Sequence, residues 1–338
     1  MRASKPLEQV ADPRELPRLA LIPAPTPLLP VPALGHALGG PSLWMKRDDL
    51  IPFGFGGNKV RGLELIIADA LETGADTVVT GAGPLSNHVR ATAAAASFAG
   101  LRMVAVYWGT APARLEGNHR LSVLWGAETR FTGESDRSSV DRALDAEARR
   151  IQAEGGRPYV VPRGGACALG AIGHVLAVAE VMAQCAETGI DPDCVLMAVG
   201  SGGTMAGWLL GSHLCGVRWR VEGVTVSRPA VEARQRVAAL ATEAAERLGQ
   251  RWSLAPGDVT IHDGFIGAGY GIPSPEGESV LALAARHEGV LLDPTYTAKA
   301  LAGYRALAAG GRYREDETLL FLHSGGAPSL FVGRDGAP

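Results

Sequence analysis

Short β-branched runs alternate with alanine-rich helical stretches along the chain. The run TVVT at 77–80 precedes a helix that we expect to begin near Ser86, and MVAVYW at 103–108 precedes helical residues near 114–125. The alternation continues with a helix near 139–154, the run YVV, a helix from about Ala168 to Thr188, the run VLMAV at 195–199, a helix from about 203 and the run VEGVTV. Repeated β-α-β order favours parallel sheets covered by helices on both faces. We therefore predict an α/β fold with two open, twisted, mostly parallel-sheet lobes.

The length of 338 residues also agrees with two lobes, because a single domain usually holds roughly 100 to 200 residues. No long proline- or serine-rich linker and no internal repeat separates the lobes. From the positions of the glycine-rich loops described below, we predict a large domain of residues 1–60 and 170–338 and a small domain of residues 61–169.

Charge and cysteine content narrow the classes of function. The 32 Lys and Arg residues are balanced by 35 Asp and Glu residues, so the chain has no basic excess for a nucleic-acid backbone. The four cysteines form no C-x-x-C pair and have no histidine at zinc-ligand spacing, which argues against a metal site and a disulfide framework. The N-terminal residues lack the apolar core of a secretory signal. We expect a cytoplasmic protein without a metal, nucleic-acid or membrane partner.

One uncharged stretch, from Cys194 to Val217, has the length of a membrane span. Its interior GSGGT would break a helix in lipid. A strand, a glycine loop and a buried helix in a globular core explain the same stretch, and we predict that arrangement.

Four glycine-rich segments stand where ligands bind in such folds, beyond the carboxyl ends of parallel strands. They are GFGGNK (54–59), GAGPLSNH (81–88), GSGGT (200–204) and HSGGAP (323–328). GSGGT follows an apolar strand and opens a helix, so it predicts an anion site, with a tight packing turn as an equal alternative. With Glu222 some 20 residues on, a nucleotide-dependent oxidoreductase is a further alternative, although Met205 replaces the third glycine of that motif.

The segment GGNKV resembles half of a P-loop. Asn58 separates Gly57 from Lys59, and Val60 replaces the Ser or Thr that binds Mg²⁺, which excludes ATP hydrolysis. A lysine at a helix N-terminus among apolar neighbours has a lowered pKa and can act as an amine nucleophile that forms a Schiff base. A solvated surface lysine is the alternative.

Five motifs occur together: KRDDLIPFGFGGNKVRGLE, SNHVRATAAAA, GSGGTMAG, DPTYTAKAL and FLHSGGAPSLF. This combination closely resembles the pyridoxal-phosphate (PLP) enzymes of the ACC deaminase and D-cysteine desulfhydrase family, which have the tryptophan-synthase-β-like fold (fold type II). The resemblance covers about residues 20 to 335, and the motifs follow the family's order. It implies PLP in the cleft between the two lobes, a small amino-acid substrate and a homodimer.

The resemblance also implies a role for individual residues. Lys59 forms a Schiff base with PLP and later moves protons, and Ser324 bonds the pyridine nitrogen. The cofactor phosphate is held by Gly200, Ser201, Gly202, Gly203 and Thr204, and Asn58 and Asn87 complete the cofactor site. Ser86, Asn87 and His88 receive the substrate carboxylate, with a packing role as the alternative for His88. Tyr270 and Tyr296 approach the leaving group, with a purely structural cleft wall as the alternative.

Several positions bear on the substrate. Ring-opening ACC deaminases of this family carry Glu after the motif tyrosine, whereas this chain has Thr297, which favours elimination. The chain departs from the desulfhydrase pattern at Leu85, at Gly62 in place of a lysine that assists the phosphate, at Met205, and at Ala166 and Cys167. We therefore predict α,β-elimination on a small amino acid with a β-leaving group, like D-cysteine desulfhydrase, giving pyruvate and ammonia. ACC deamination, L-cysteate lysis, a specialised biosynthetic PLP lyase, a β-replacement enzyme and a catalytically silent PLP-binding protein are the alternatives.

Overall fold

A computed structural model describes residues 12–333 of the chain. In chain order its strands are β1 (Leu28–Pro30), β2 (Ser42–Arg47), β3 (Thr77–Ala82), β4 (Arg102–Tyr107), β5 (Glu128–Phe131), β6 (Pro158–Val161), β7 (Cys194–Val199), β8 (Arg220–Thr225), β9 (Thr260–His262) and β10 (Thr318–His323). The α-helices are α1 (Pro32–Leu38), α2 (Lys59–Glu72), α3 (Asn87–Phe98), α4 (Gly117–Leu124), α5 (Ser139–Ala153), α6 (Ala168–Thr188), α7 (Gly203–Cys215), α8 (Ala230–Arg247), α9 (Pro275–Glu288) and α10 (Thr297–Ala309).

The strands form two sheets. The six-stranded sheet has the order β1-β2-β10-β7-β8-β9, in which only the β1–β2 pair is antiparallel among the described strands. The four-stranded sheet has the order β5-β4-β3-β6 and is parallel throughout. The predicted α/β class with mostly parallel strands is confirmed.

Helices cover both faces of each sheet because successive strand residues point to opposite sides. On β7, Val195 and Met197 pack in the core formed with α6, α7 and α8, whereas Cys194 and Leu196 pack with α1, α9 and α10. In the four-stranded sheet, α2 and α3 cover one face and α5 covers the other. Strands buried on both faces explain the continuous apolar runs in the sequence.

The uncharged stretch from Cys194 to Val217 is divided as predicted, into β7, the glycine loop and α7. Among residues 12–333, α6 is the one helix long and apolar enough to cross a membrane. More than half of its most apolar window is buried inside the protein, where it packs against α2, α7 and α8. The core position of α6 accounts for its composition.

Helix α2 carries Lys59 at its first position and packs very closely on α6. A Cβ atom at Gly62 would lie 2.8 Å from the Gly170 carbonyl oxygen, and one at Gly173 would lie 2.3 Å from the Arg61 carbonyl oxygen. The backbones therefore meet only because these positions lack side chains. This contact requires glycine at position 62 of this chain.

A buried ion network anchors the same end of α2. Arg61 donates to Asp48 at 2.7 Å and to Glu180 at 2.9 Å, and Lys46 donates to Glu180 at 2.5 Å. Burial opposes ionisation of Asp48, but the Arg61 guanidinium holds the pKa of this carboxyl below its usual range. The network ties the end of β2, α6 and the first turn of α2 together, and it orients the helix that begins at Lys59.

Candidate active site

The carboxyl ends of the parallel strands surround one cleft with about 950 Å³ of space, part of it open to solvent. The strand-end loops contribute lining residues from both sheets. The predicted site residues that line it are Asn58, Lys59, Ser86, Asn87, His88, Gly200, Ser201, Gly202, Thr204, Tyr270, Tyr296 and Ser324. Gly203 lines a smaller adjoining cavity, which Lys59 and Thr204 also line. All the predicted site residues therefore come together.

Lys59 lies between the two sheets. Its Nζ donates to the Gly164 carbonyl oxygen at 3.1 Å and to Ser201 Oγ at 3.4 Å, and no carboxylate lies within 4.0 Å in the described chain. Burial lowers the pKa of Lys59 to about 8. A larger fraction of this amine is therefore neutral and nucleophilic at pH 7 than of a solvated lysine, as the sequence predicted.

The glycine loop, residues 200–204, leads from β7 into α7. Gly202 has a φ of +95° and caps the helix, a conformation that favours glycine. Within residues 12–333, the backbone N–H groups of Ser201 to Met205 donate to no protein acceptor. Unpaired N–H groups at the positive end of a helix dipole bind anions, so this loop fits a phosphate group.

The start of α3 offers a second set of free donors. Ser86 caps the helix by accepting from the Val89 N–H at 3.3 Å, and the N–H groups of Asn87 and His88 have no protein acceptor in the described chain. Asn118, which sequence reasoning missed, donates to Asn87 Oδ1 at 2.9 Å. Since its oxygen is held in this way, Asn87 presents its NH₂ group as the free end of the amide.

The His88 ring is held inside the protein. Thr80 donates its hydroxyl proton to the Val161 carbonyl oxygen, so His88 Nε2 donates to Thr80 Oγ1 at 3.0 Å. Burial and the nearby charge of Lys59 lower the pKa of His88 to about 3. The ring is neutral at pH 7, and it is the backbone N–H of His88 that is available to a carboxylate.

Tyr270 and Tyr296 form a pair with their hydroxyl oxygens 2.5 Å apart. Burial raises the pKa of both phenols, so both are protonated at pH 7. One proton occupies the shared bond and the other remains free for a third group. Trp108 packs edge-on against Tyr270, and the Arg137 guanidinium lies 4.9 Å from the Tyr270 ring centre. We call Trp108, Arg137, Tyr270 and Tyr296 the tyrosine wall.

Asn58 links the glycine loop to the segment after β10. Its side-chain NH₂ donates to Thr204 Oγ1 at 2.9 Å, and its backbone N–H donates to the Ser324 carbonyl oxygen at 3.1 Å. Ser324 also lines the cleft. Asn58 thus holds two sides of the cleft at a fixed separation.

Thr297 is fully buried and does not line the cleft. It donates its hydroxyl to Asp293 Oδ1 at 2.8 Å, and Asp293 also accepts from the backbone N–H groups of Thr295 and Tyr296. Despite these donors, burial raises the pKa of Asp293. Thr297 therefore shapes the turn that presents Tyr296.

The other departures from the family pattern have different surroundings. The Leu85 side chain lies near Gly271, since a Cβ atom added at Gly271 would lie 3.3 Å from Leu85 Cδ1. Met205 lines the cleft. Ala166 is buried near Gly203, and Cys167 precedes α6, where burial raises the pKa of its thiol.

The structure adds cleft residues that sequence reasoning missed. Besides Trp108, four arginines line the cleft: Arg137, Arg163, Arg228 and Arg236. Arg163 and Arg228 follow the ends of β6 and β8, so the rule that ligands bind beyond strand ends could have identified them. Nothing local marks Arg137, which lies in the connection between β5 and α5, or Arg236 on α8.

Glu222 is not a ribose-binding acid. It lies inside β8, where it pairs with Arg312 at 2.6 Å and with His262 at 2.7 Å, and it does not line the cleft. These partners lower the pKa of Glu222 to about 2 although burial opposes the shift. The alternative of a nucleotide-dependent oxidoreductase required Glu222 to bind a ribose, so the structure does not support it.

Comparison with known proteins agrees with this geometry. The family model described as "Pyridoxal-phosphate dependent enzyme" matches residues 19–325. D-cysteine desulfhydrases of Salmonella choleraesuis (strain SC-B67) and Salmonella typhi are each 42% identical over 321 residues, which cover 94% of this chain and 96% of theirs.

Solved structures show the same relationship. An ACC deaminase homologue superimposes with a TM-score of 0.87 at 35% identity, over 94% of each chain. The threonine deaminase of T.th. superimposes with a TM-score of 0.65 at 23% identity, over 93% of this chain and 94% of its own, and shows the shared fold. The family resemblance, the fold type II class and the PLP cofactor predicted from the motifs are confirmed. The chain belongs to the pyridoxal-phosphate dependent enzymes.

Proposed function

We propose that this enzyme is a lyase that catalyses α,β-elimination on a small amino acid with a β-leaving group, as in D-cysteine desulfhydrase, giving pyruvate and ammonia. The observation that carries the proposal is the position of Lys59. Its amine, with a pKa lowered to about 8, lies 3.4 Å from Ser201 Oγ in the glycine loop, in the cleft that the tyrosine pair also lines. The 42% identity to D-cysteine desulfhydrases favours D-cysteine as substrate.

The cleft contains suitable partners for each part of PLP. The free N–H groups of the glycine loop would hold the phosphate, and Lys59 would hold the cofactor covalently through Nζ. The free NH₂ of Asn87 is a donor for the ring oxygen, and the hydroxyl of Ser324 is a neutral partner for the pyridine nitrogen. Asn58 would support the phosphate site through Thr204.

When bound, PLP supplies an electron sink that stabilises negative charge at the substrate Cα. The chain's own residues orient the substrate and move protons around that atom. The N–H groups of Asn87 and His88 would bind the carboxylate at the positive end of α3. The neutral form of Lys59 can accept the Cα proton, because its pKa is close to the working pH.

The tyrosine pair would act on the leaving group. Both phenols are protonated at pH 7, and one proton is free from the shared bond. A phenol with a raised pKa donates a hydrogen bond or a proton to a departing sulfur without itself being ionised. Tyr270 and Tyr296 therefore act as the general acid for the leaving group, whereas Lys59 acts as the base at Cα.

ACC deamination is the second candidate, since an ACC deaminase homologue shares 35% identity with this chain. The resemblance links ring opening to a glutamate after the motif tyrosine. Here Thr297 takes that position and bonds Asp293, and no Asp or Glu from residues 12–333 lines the cleft. A cleft without a carboxylate beside Ser324 favours elimination over ring opening.

The proposal includes the organisation of the chain. The four-stranded sheet uses strands between Thr77 and Val161, and the six-stranded sheet uses the remainder, which supports a small domain of residues 61–169 and a large domain of residues 1–60 and 170–338. Residues 1–11 and 334–338 of that division lie outside the described residues. A cytoplasmic homodimer without a membrane or nucleic-acid partner completes the proposal, supported by the family resemblance and the charge balance.

An absorbance spectrum of the purified enzyme, taken before and after addition of D-cysteine with pyruvate measured in the same cuvette, tests the proposal. We expect a visible cofactor band that shifts with substrate and pyruvate formation that falls about 1,000-fold or more in Lys59→Ala. The sequence has four lysines, and Lys5→Ala, outside the described residues, is the matched control. Wild-type turnover by Lys59→Ala would contradict the proposal.

A further inference from the structure

His174 on α6 is a buried polar side chain that the proposed reaction does not use. Only 3% of the residue is exposed, and it lines the small cavity that Lys59 and Thr204 also line. Its Nε2 atom lies 3.3 Å from Oγ1 of Thr204, which stands in the first turn of α7. A polar ring is costly to bury unless it is hydrogen-bonded, so its one contact, with the loop that fits a phosphate, indicates a role for that contact.

Close packing of α6 on α7 fixes the position of this ring. Gly207 follows Thr204 on α7, and a Cβ atom at Gly207 would lie 2.6 Å from His174 Cβ and 2.1 Å from the Ala171 carbonyl oxygen. The two helices therefore touch at a position that has no side chain. Since His174 stands at this contact, the separation between its ring and Thr204 is set by the packing of two helices.

The His174 ring is neutral. Burial and the charge of Lys59 lower the pKa of His174 to about 3; the charge of Asp48 opposes this shift, and that of Arg61 adds to it. At pH 7 the ring therefore carries a single N–H proton, on either Nδ1 or Nε2. The nitrogen that holds this proton decides whether the ring donates to Thr204 or accepts from it.

The surroundings of the two ring nitrogens decide where the proton is. His174 Nδ1 is buried and has no hydrogen-bond partner in the described chain. A proton on Nδ1 would therefore be a buried donor without an acceptor, whereas a proton on Nε2 has an acceptor in Thr204 Oγ1. Among buried backbone groups, donors without an acceptor are rarer than acceptors without a donor. By the same preference, the hydrogen-bond network assigns the proton to Nε2.

The Thr204 hydroxyl then has only its own proton to give. Its oxygen accepts from the Asn58 side-chain NH₂ at 2.9 Å and from His174 Nε2, and these two bonds occupy both lone pairs. With His174 as a donor, no acceptor for the hydroxyl proton remains within residues 12–333. Thr204 lines the cleft. Its hydroxyl is therefore one more donor beside the free backbone N–H groups of the glycine loop.

We propose that His174 is a positioning residue for the cofactor: its Nε2–H donates to Thr204 Oγ1 and thereby leaves the threonine proton for the cofactor phosphate. The inference rests on the phosphate site of the proposed function. His174 does not line the cleft and acts through Thr204. Hydrogen bonds to a charged phosphate oxygen are stronger than those to a neutral acceptor. A donor whose direction is fixed before binding loses little freedom when the phosphate arrives, which increases the affinity.

Two variants that differ in the donor at position 174 test the proposal. His174→Phe keeps a ring but removes the donor, and His174→Gln keeps an N–H donor at a similar distance from the backbone. We expect His174→Phe to raise the Kd of PLP for the full-length apoenzyme about 10-fold and His174→Gln less than about 3-fold. A titration followed by cofactor absorbance measures both constants. His213→Phe, the same change at an exposed position of α7 outside the cleft, is the control.

Pyridoxal, which lacks the phosphate, separates an effect through Thr204 from an effect of packing. We expect the Kd of pyridoxal to be nearly unchanged in His174→Phe, and the phosphorus NMR signal of bound PLP to move in His174→Phe but not in His174→Gln. In a Thr204→Val background, His174→Phe should not weaken PLP binding further. An equal loss of affinity for pyridoxal, or an undiminished loss in the Thr204→Val background, would overturn the inference, because the ring would then act by packing alone.

The position of the ring proton gives a readout that does not depend on cofactor affinity. In enzyme with isotope-labelled histidine, nitrogen NMR should show the proton of His174 on Nε2, with the resonances identified by their loss in His174→Gln. A proton on Nδ1 would overturn the inference. If the wild-type enzyme binds PLP no more tightly than pyridoxal, the phosphate site of the proposed function itself fails.

Discussion

The glycine loop and the tyrosine wall border the same cleft but are built in different ways. The loop consists of five consecutive residues between β7 and α7, and its donors are backbone N–H groups. The wall combines Trp108 after β4, Arg137 before α5, Tyr270 after β9 and Tyr296 before α10. A short continuous loop that binds through its backbone suits the cofactor, which is the same in every reaction cycle. The tyrosine wall, whose side chains come from distant parts of the chain, suits the substrate, because single side chains can change without changing the cofactor site.

If the glycine loop binds the cofactor and the tyrosine wall acts on the substrate, mutations in the two regions should affect different constants, the cofactor Kd and kcat. Changes in the glycine loop should weaken cofactor binding, and changes in the tyrosine wall should slow turnover of cofactor-loaded enzyme. Three variants test this, in order of decreasing effect.

Tyr296→Phe removes one hydroxyl of the 2.5 Å pair with Tyr270. Since general acid catalysis contributes about 100-fold or more, we expect kcat with D-cysteine to fall about 100-fold while the cofactor Kd changes less than about 3-fold. Steady-state kinetics at saturating PLP and a cofactor titration measure the two constants. Tyr304→Phe, which removes a buried phenol further along α10, is the control. A weakened cofactor affinity with unchanged kcat would contradict this assignment of roles.

Gly202→Ala forces a side chain into a φ of +95° and places its Cβ 3.2 Å from Val237 Cγ2. Backbone strain of about 1 to 3 kcal/mol at the loop should raise the cofactor Kd about 30-fold and leave kcat at saturating PLP nearly unchanged. Gly216→Ala is closely matched, because Gly216 ends the same helix at a φ of +66° with open space around it. That control should lose stability by thermal melting but keep its cofactor affinity, and an equal loss of affinity would show that the effect is global.

Lys299→Met tests how the wall is held in place. The buried Lys299 Nζ donates to the carbonyl oxygens of Ile266 at 2.7 Å and Gly269 at 3.0 Å, and so fixes the loop that carries Tyr270. We expect kcat/KM to fall about 10-fold, with faster amide hydrogen exchange in residues 264–271 and unchanged cofactor affinity. Arg305→Met, at an exposed position of the same helix, should have no effect. Unchanged exchange in that loop would rule out the positioning role.

The parts of the site that sequence reasoning identified are those with a local cause. GSGGT is an anion site because glycines permit the turn and the following helix supplies free N–H groups. Lys59 has a lowered pKa because it begins an apolar helix that becomes buried. The hypothesis about Glu222 was wrong for the opposite reason: spacing from a glycine loop does not reveal that Arg312 and His262 already pair with the side chain inside β8.

Positioning contacts had no signature in the sequence. Asn118 holds Asn87, Lys299 holds the Tyr270 loop, and Arg137 donates to Ser227, a residue 90 positions away. Each contact depends on how one element packs against another. The sequence likewise gives no sign that Gly62 lies close to Gly170, because this contact forms only when α2 and α6 pack together.

The sequence by itself determined the α/β class, the glycine loops, the lysine and the family, because strand and helix periodicity and backbone conformation are properties of neighbouring residues. Only the tertiary structure decided which side chains face one another across the cleft. It placed four arginines and no carboxylate of the described chain around that space, and left Arg137 without a counter-ion. Charge compensation is a property of distances between residues far apart in the chain, and those distances exist only after the two sheets have packed together.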